Sequence, residues 1–397
     1  MSDMSSRPEA VILAARRTPT GRFGGTLSRV PAPKLGARVI KALLEDLPAV
    51  KNHVDECFMG SVLQAGLGQN PARQAGLFAG LPDTLNATTI NKVCGSGLQA
   101  VMFAATGIRA GLNELVVAGG MENMDLAPHM VHVRNGIKFG AGTLLDHMEA
   151  DGLTCPFEQW GMGLAAEHIA RAHNVSREEQ DRFAAQSHHR AAHATKEGWF
   201  KDEIVPLTSE ETMQKVGLDA DEGFRADTSI EALAKLRPSF AKDGTVTAGN
   251  SSQISAGAAA LIVSSAAKAK SLGVTPLAFI EGWNTVGVAP KDLFIAPKIG
   301  IETLLAKHNL KVSDIDLFEI NEAFAAQVLA DIKPLGIPES KLNIGGGGIA
   351  IGHPIGASGA RVLTTLLHHL QRTGGTRGVV SLCLGGGNAV SMLIRMA

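Results

Sequence analysis

The chain repeats itself, and the repeat limits what it can fold into. Residues 39–60, VIKALLEDLPAVKNHVDECFMG, align without gaps on residues 300–321, GIETLLAKHNLKVSDIDLFEIN. Leu43 and Leu304, Leu44 and Leu305, Val54 and Ile315, and Asp55 and Asp316 fall in one helix-then-strand pattern. CGSGLQAV at 94–101 aligns on GASGARVL at 356–363, and VVAGG at 116–120 on SLCLGGG at 381–387, with the spacing growing by about four residues. Identities are few, so the shared pattern carries the duplication. Two like-folded α/β units packed as a pseudo-dimer bring equivalent loops to one cleft, and function should draw on both halves.

Strand and helix signals alternate along each half. Strands are expected at 9–15, 56–62, 88–93, 115–118, 276–286 and 315–320, and 257–264 reads as buried strand or helix. Helices are expected at 34–47, at 74–79 and from Leu98 to about Gly111. Such alternation predicts parallel βαβ units. Residues 17–27 and 64–73 read as Gly- and Pro-punctuated loops, the second exposed. From about Asp125 to Val246 the texture turns polar and irregular, with one clear helix opened by the capping box Ser176-Arg177-Glu178-Glu179. The expected organisation is therefore a first half over 1–124, completed by about 251–275, an inserted loop domain over 125–250, and a second half over 276–397. Arg225, Lys235 and Arg237 give the insertion groups suited to phosphates, or ordinary solvated charge. His189 and His193 are one helical turn apart without a third metal ligand nearby and read as a solvated face.

Cys94 falls at the turn between the strand at 88–93 and the helix after it. Gly95 and Gly97 allow the sharp change of direction. The positive end of the helix there should make the thiol easier to ionise, as a nucleophile requires. The competing reading is a small buried hydrophobe.

Composition excludes several classes. The 397 residues carry a net charge of −1, so no basic field attracts nucleic acid or an anionic membrane. Aromatics are 4% and Tyr is absent, which argues against base-stacking platforms. Cys57, Cys94, Cys155 and Cys383 form no CxxC pair, so neither a structural zinc nor a disulfide framework is expected. The first residues lack a basic n-region, the last four, IRMA, are no peroxisomal signal, and no apolar run reaches membrane-spanning length; a cytoplasmic protein is expected.

The second half holds the other reactive groups. His353 stands between Gly352 and Pro354, in a rigid loop, either for proton transfer or for bonding loop backbone. Cys383 ends a buried strand at a glycine cluster, mirroring Ala118 in the repeat. Asn321 and Glu322 follow a strand, where parallel sheets bind ligands. Gly345, Gly347 and Ala350 fit a dinucleotide fingerprint, but Pro354 follows in place of a helix.

Taken together, NKVCGSG, GGMENM, TAGNSS, NEAFA, GGGIAIGHPIGASGAR and CLGGG resemble the thiolase family, from Arg17 to beyond Cys383. The resemblance implies a duplicated five-layered α-β-α-β-α core with a coenzyme A-binding loop domain. It implies Cys94 as the acyl-carrying nucleophile and His353 as its activator and enolate stabiliser. Asn321 holds a water completing that first oxyanion hole, and Cys383 is the acid/base toward carbon. The N–H groups of Cys94 and Gly385 form a second oxyanion hole. Arg225, Ser252 and Ala248 are implied contacts of coenzyme A, and Phe324, Met162 and Leu293 of the acyl and pantetheine pocket. No cofactor or metal is implied, and the partners are acetyl-CoA, acetoacetyl-CoA, CoA and further copies of the chain in a homodimer or homotetramer.

The expected reaction is reversible condensation of two acetyl-CoA to acetoacetyl-CoA, with cleavage of longer 3-ketoacyl-CoA as the near alternative. Gly161-Met162-Gly163 stands where the family often has His-Met-Gly, Ala256-Gly257 where it has Asp-Gly, and residues 293–297 replace Met-Gly-Thr-Gly-Pro. The first and third changes bear on acyl length. A decarboxylating ketosynthase would not need Cys383, an NAD-binding oxidoreductase rests on the fingerprint alone, and a non-catalytic scaffold needs neither cysteine.

Overall fold

The computed structural model describes residues 8–397. The segment before Pro8, in which the sequence carries no basic n-region, lies outside the described residues. One mixed sheet of ten strands runs through the molecule. Its main strands are β1 (Ala10–Arg17), β2 (Glu56–Gly60), β3 (Asn86–Ile90), β4 (Leu115–Asn123), β5 (Ser255–Ser265), β6 (Ala278–Gly287), β7 (Leu317–Ile320), β8 (Arg377–Leu384) and β9 (Asn388–Met396). The order across the sheet is β7-β8-β9-β6-β1-β5-β4-β2-β3, with Gly21–Arg22 a short tenth strand beside β5. The two halves join narrowly, where Val11 and Ile12 pair with Phe279 and Ala278.

The main helices are α1 (Ala32–Asp46), α2 (Pro71–Phe78), α3 (Ser96–Arg109), α4 (Met162–Ala172), α5 (Arg177–Lys196), α6 (Ala296–Lys307), α7 (Ala325–Leu335) and α8 (Ser358–Thr373). Three apolar clusters separate five layers. Leu35, Ile40 and Leu43 of α1 pack with Met59, Val117 and Ile262. Leu98, Val101 and Ile108 of α3 meet Leu363, Leu366 and Leu370 of α8 between Val116 on one side and Val380 on the other. Leu304 of α6 and Val328 of α7 cover Val379 and Leu393. Neighbours such as Val116 and Val117 thus point into different layers, because strand side chains alternate. Both faces being covered explains why all of β4 and β5 is buried. Each such Val or Leu contributes about 1.5–3 kcal/mol. Among the described residues no helix is long and apolar enough to cross a membrane.

The duplication is visible in hydrogen bonds. Asp55 accepts from the N–H groups of Glu114 and Leu115, and Asp316 from those of Thr376 and Arg377. Cys57 pairs with Val117 in parallel β2 and β4, as Phe318 pairs with Val379 in parallel β7 and β8. This register puts Cys383 opposite Met121 in the repeat, not Ala118, and the spacing grows by one residue, not about four. The glycine runs after both strands pulled the sequence alignment out of step. The second-copy counterpart of β3 is reduced to one bridge, Leu342 with Phe318.

The expected parallel pairing holds only for the outer strands. β1, β5, β6 and β9 run antiparallel to their neighbours. Between β8 and β9, Gly386 and Gly387 have φ of +85° and +93°, and so short a hairpin can only return antiparallel.

The chain leaves the sheet at Asn123 and re-enters at Ser255. The stretch between carries two long helices, not one: the Ala-rich α4 lacked a sequence cap signal. α5 opens as expected, with Ser176 Oγ accepting from Glu179 N and the Glu179 carboxylate accepting from Ser176 N. α4 and α5 both pack on α7. Buried Arg17 ties the stretch to β1, its guanidinium 2.6 Å from Glu203 and 2.7 Å from Asp221. His189 and His193 are exposed, as read from the sequence.

Candidate active site

Cys94 sits in a strained, clamped turn. Val93 before it has φ +48°, which a β-branched residue rarely adopts. Asn91 Oδ1 accepts from Val93 N at 3.0 Å. Ser96 Oγ accepts from Lys92 N at 2.8 Å and donates to Val93 O at 2.6 Å. Gly95 is required by contact: a Cβ there would stand 2.3 Å from Leu384. These bonds hold the cysteine at the head of α3.

The expected acidity of this thiol is corrected. Cys94 is half-buried as a residue, but desolvation of its sulfur pushes the thiol up to about 12 and the Glu122 charge adds to the rise; the nearby N–H groups of Cys94 and Gly385 oppose it without winning. A helix terminus shifts a group by only about a kcal/mol, whereas desolvation is larger. Cys383, 1% exposed, is likewise pushed well up by burial first and then by the charge of Cys94, so the two cysteines lie within electrostatic reach of one another. The resting pair is therefore two thiols.

His353 is held by its loop. Its N–H reaches Gln253 O at 3.1 Å and Ser255 Oγ at 3.2 Å. Ring Nδ1 is 2.6 Å from Ser358 Oγ, whose own hydroxyl donates to Pro354 O at 2.9 Å. Ser358 is thereby left to accept, which assigns the hydrogen to Nδ1 and leaves Nε2 as the free base. Burial, then the charge of Arg361, lowers this imidazole to about 3, so it rests neutral. Asn321 Nδ2 stands 3.4 Å from both ring nitrogens, against the ring face. Asn321 Oδ1 is buried without a hydrogen-bond partner among the described residues.

Cys383, Phe324 and Leu293 share one buried cluster, with Met162 packed at its edge. The Phe324 ring meets Phe294 at 5.3 Å and Phe240 at 6.1 Å, edge to face. Ser252 is half-buried and donates its N–H to Ala323 O beside Phe324. Arg225 and Ala248 are exposed on the inserted stretch; Arg225 N donates to His188 Nδ1 at 3.2 Å. The dinucleotide fingerprint fails on contact: a Cβ on Gly347 would lie 2.3 Å from the Glu322 carboxylate, so that glycine faces protein. Glu322 accepts from Ser187 Oγ, Asn343 Nδ2 and Ile349 N, fastening the loop before His353.

Two residues were not singled out from sequence. Ser358 was readable as the repeat counterpart of Ser96. Glu122 lies within GGMEN, where a lone carboxylate closing an apolar strand is its signal.

Two opposed thiols, a neutral imidazole and paired N–H donors between two duplicated halves define a family of acyl-transfer enzymes. The thiolase N-terminal domain family matches residues 10–267 and the thiolase C-terminal domain family residues 274–396, and the chain belongs to the thiolase family. It is 51% identical to the acetyl-CoA acetyltransferase of Chromobacterium violaceum, over 97% of this chain and 99% of that one. It is 49% identical to that of Cupriavidus necator over the same shares. The Bacillus anthracis acetyl-CoA acetyltransferase superposes with a TM-score of 0.96 at 42% identity, covering 98% of this chain and 99% of that one.

Proposed function

We propose that this thiolase condenses two acetyl-CoA molecules to acetoacetyl-CoA and free CoA, reversibly, through an acetyl group carried on Cys94. The observation that carries this reading is Cys94 clamped at the head of α3, with the N–H groups of Cys94 and Gly385 near its sulfur and the buried Cys383 within electrostatic reach.

The Cys94 proton passes to His353 Nε2, and the thiolate attacks the thioester carbon. CoA leaves as its sulfur takes the Cys383 proton, giving acetyl-Cys94, a Cys383 thiolate and imidazolium. The new thiolate removes a proton from the methyl carbon of the second acetyl-CoA. The imidazolium and the Asn321-bound water stabilise the enolate oxygen. The enolate carbon attacks acetyl-Cys94, and the Cys94 and Gly385 N–H groups take up the charge on its oxygen, a contribution of about 3–4 kcal/mol. Collapse expels the Cys94 thiolate with acetoacetyl-CoA, and His353 returns its proton. Two thiols held high by burial suit this sequence, because each thiolate exists only while an acid beside it holds the proton.

The acetyl preference is supported by the wall of Phe324, Phe294 and Phe240. The exposed Arg225, with Ser252 and Ala248, contacts the coenzyme A, and no cofactor or metal takes part. Exposed Val131, Val133, Ile137 and Phe139 on the inserted stretch favour a homodimer or homotetramer. Its place is the cytoplasm, in fatty acid metabolism. Thiolysis rates across 3-ketoacyl-CoA of increasing length test the substrate. The four-carbon chain should be fastest; preference for long chains would reassign the enzyme to degradative cleavage.

A further inference from the structure

Glu122, at the end of β4, is completely buried and forms no ion pair among the described residues. Its carboxylate accepts only from backbone N–H groups. Val62 and Leu63, in the loop after β2, donate at 2.9 and 3.2 Å. Gly356, at the head of α8 in the other half, donates at 2.9 Å. A Cβ on Gly356 would lie 2.6 Å from the carboxylate, so only glycine lets the two approach.

The duplication says what this contact corresponds to. Gly356 stands in the second copy where Cys94 stands in the first, and the register of β4 with β8 puts Leu384 where Glu122 stands. Leu384 has an apolar side chain that offers no acceptor. The N–H of Cys94 is therefore left without a carboxylate and turns, with Gly385 N–H, to the reacting sulfur. The fold makes the same donor twice; one copy is stoppered from within and the other stays open.

We infer that Glu122 is a positioning residue, a built-in carboxylate in the counterpart of the oxyanion site that pins the His353 loop to the first half and so aims the imidazole at Cys94. Pro354 and Gly356 lie in that loop, and Ser358 continues it into α8, so a loop released at Gly356 loosens the Ser358–His353 contact as well. The inference rests on the thiolase reading above and adds a residue that never touches substrate.

The test is Glu122→Gln, which keeps the shape but sets an amide against three donors. In thiolysis of acetoacetyl-CoA, kcat should fall on the order of 100-fold, the size expected of a reacting group displaced by about an ångström. KM for CoA should stay unchanged, because the coenzyme contacts are elsewhere. A folded variant with wild-type kcat, or a loss carried wholly by KM, overturns the inference. If the variant does not fold, a crystal structure of the wild-type protein decides. The Glu122 carboxylate should bridge Val62 N and Gly356 N at hydrogen-bond distance, and a separated Gly356 refutes the role. A wild-type protein without acyl transfer would instead sink the thiolase reading, so the two failures are distinct.

Discussion

Gly97 at the head of α3 and Gly359 at the head of α8 each press on the other's helix. A Cβ on Gly97 would stand 2.8 Å from Ala360 N, and one on Gly359 would stand 2.3 Å from Leu98 N. These are the same contact made twice about the pseudo-twofold axis. It brings the Cys94 turn of one half against the His353–Gly356 loop of the other.

That contact leaves no room for a methyl group. Gly97→Ala should destabilise the protein by about 1–3 kcal/mol, as overpacking does, and Gly359→Ala by more. Thermal unfolding measures both. Activity should fall further than stability, because the displaced atoms belong to the turns that carry Cys94 and His353.

Ser358 holds the His353 tautomer without touching substrate. Ser358→Ala should lower kcat about tenfold, part of the roughly 10²–10⁴ that a placed acid/base supplies, with KM for CoA unchanged. Steady-state thiolysis gives both numbers. An unchanged kcat would mean that the loop backbone alone orients the ring.

His369 of α8 is 1% exposed, and among the described residues neither ring nitrogen has a hydrogen-bond partner. Its ring packs against Trp199 and Phe200 at 5.9 Å from each. Burial first of all lowers it from 6.5 to about 4. Above pH 6.5 neither folded nor unfolded chain protonates here, and stability is full. Between about 6.5 and 4 the unfolded chain takes a proton that the folded one refuses, so stability falls with pH. His369→Phe should remove this loss. The variant should gain on wild type by at most about 1.4 kcal/mol per pH unit across that window. Denaturant titrations at pH 7 and pH 5 measure it.

Much of this was legible in the chain. The duplication, the Cys94 turn, the α5 cap and the Gly-His-Pro corner all rest on local chemistry that the residues display. What escaped depends on contacts distant in sequence. The Cys94 thiol reads as acidified because a helix start is local, whereas its burial by both halves is not. Cys383 was matched to Ala118 because glycines align more readily than strand registers, which Asp55 and Asp316 set only in the folded sheet. Strand direction was missed for β5 because the chain reaches it through an insertion whose path no local signal describes. Glu122 passed unnoticed because its partners at Val62, Leu63 and Gly356 are backbone groups, which leave no mark on sequence.

The most direct measurement is the intact mass of the protein after incubation with acetyl-CoA, compared between wild type and Cys383→Ala. One acetyl group should be found on Cys94, and it should accumulate in the variant, where no thiolate removes the proton from the second substrate. No acetyl group on Cys94, or an adduct that turns over equally fast without the Cys383 sulfur, would contradict condensation by two opposed cysteines.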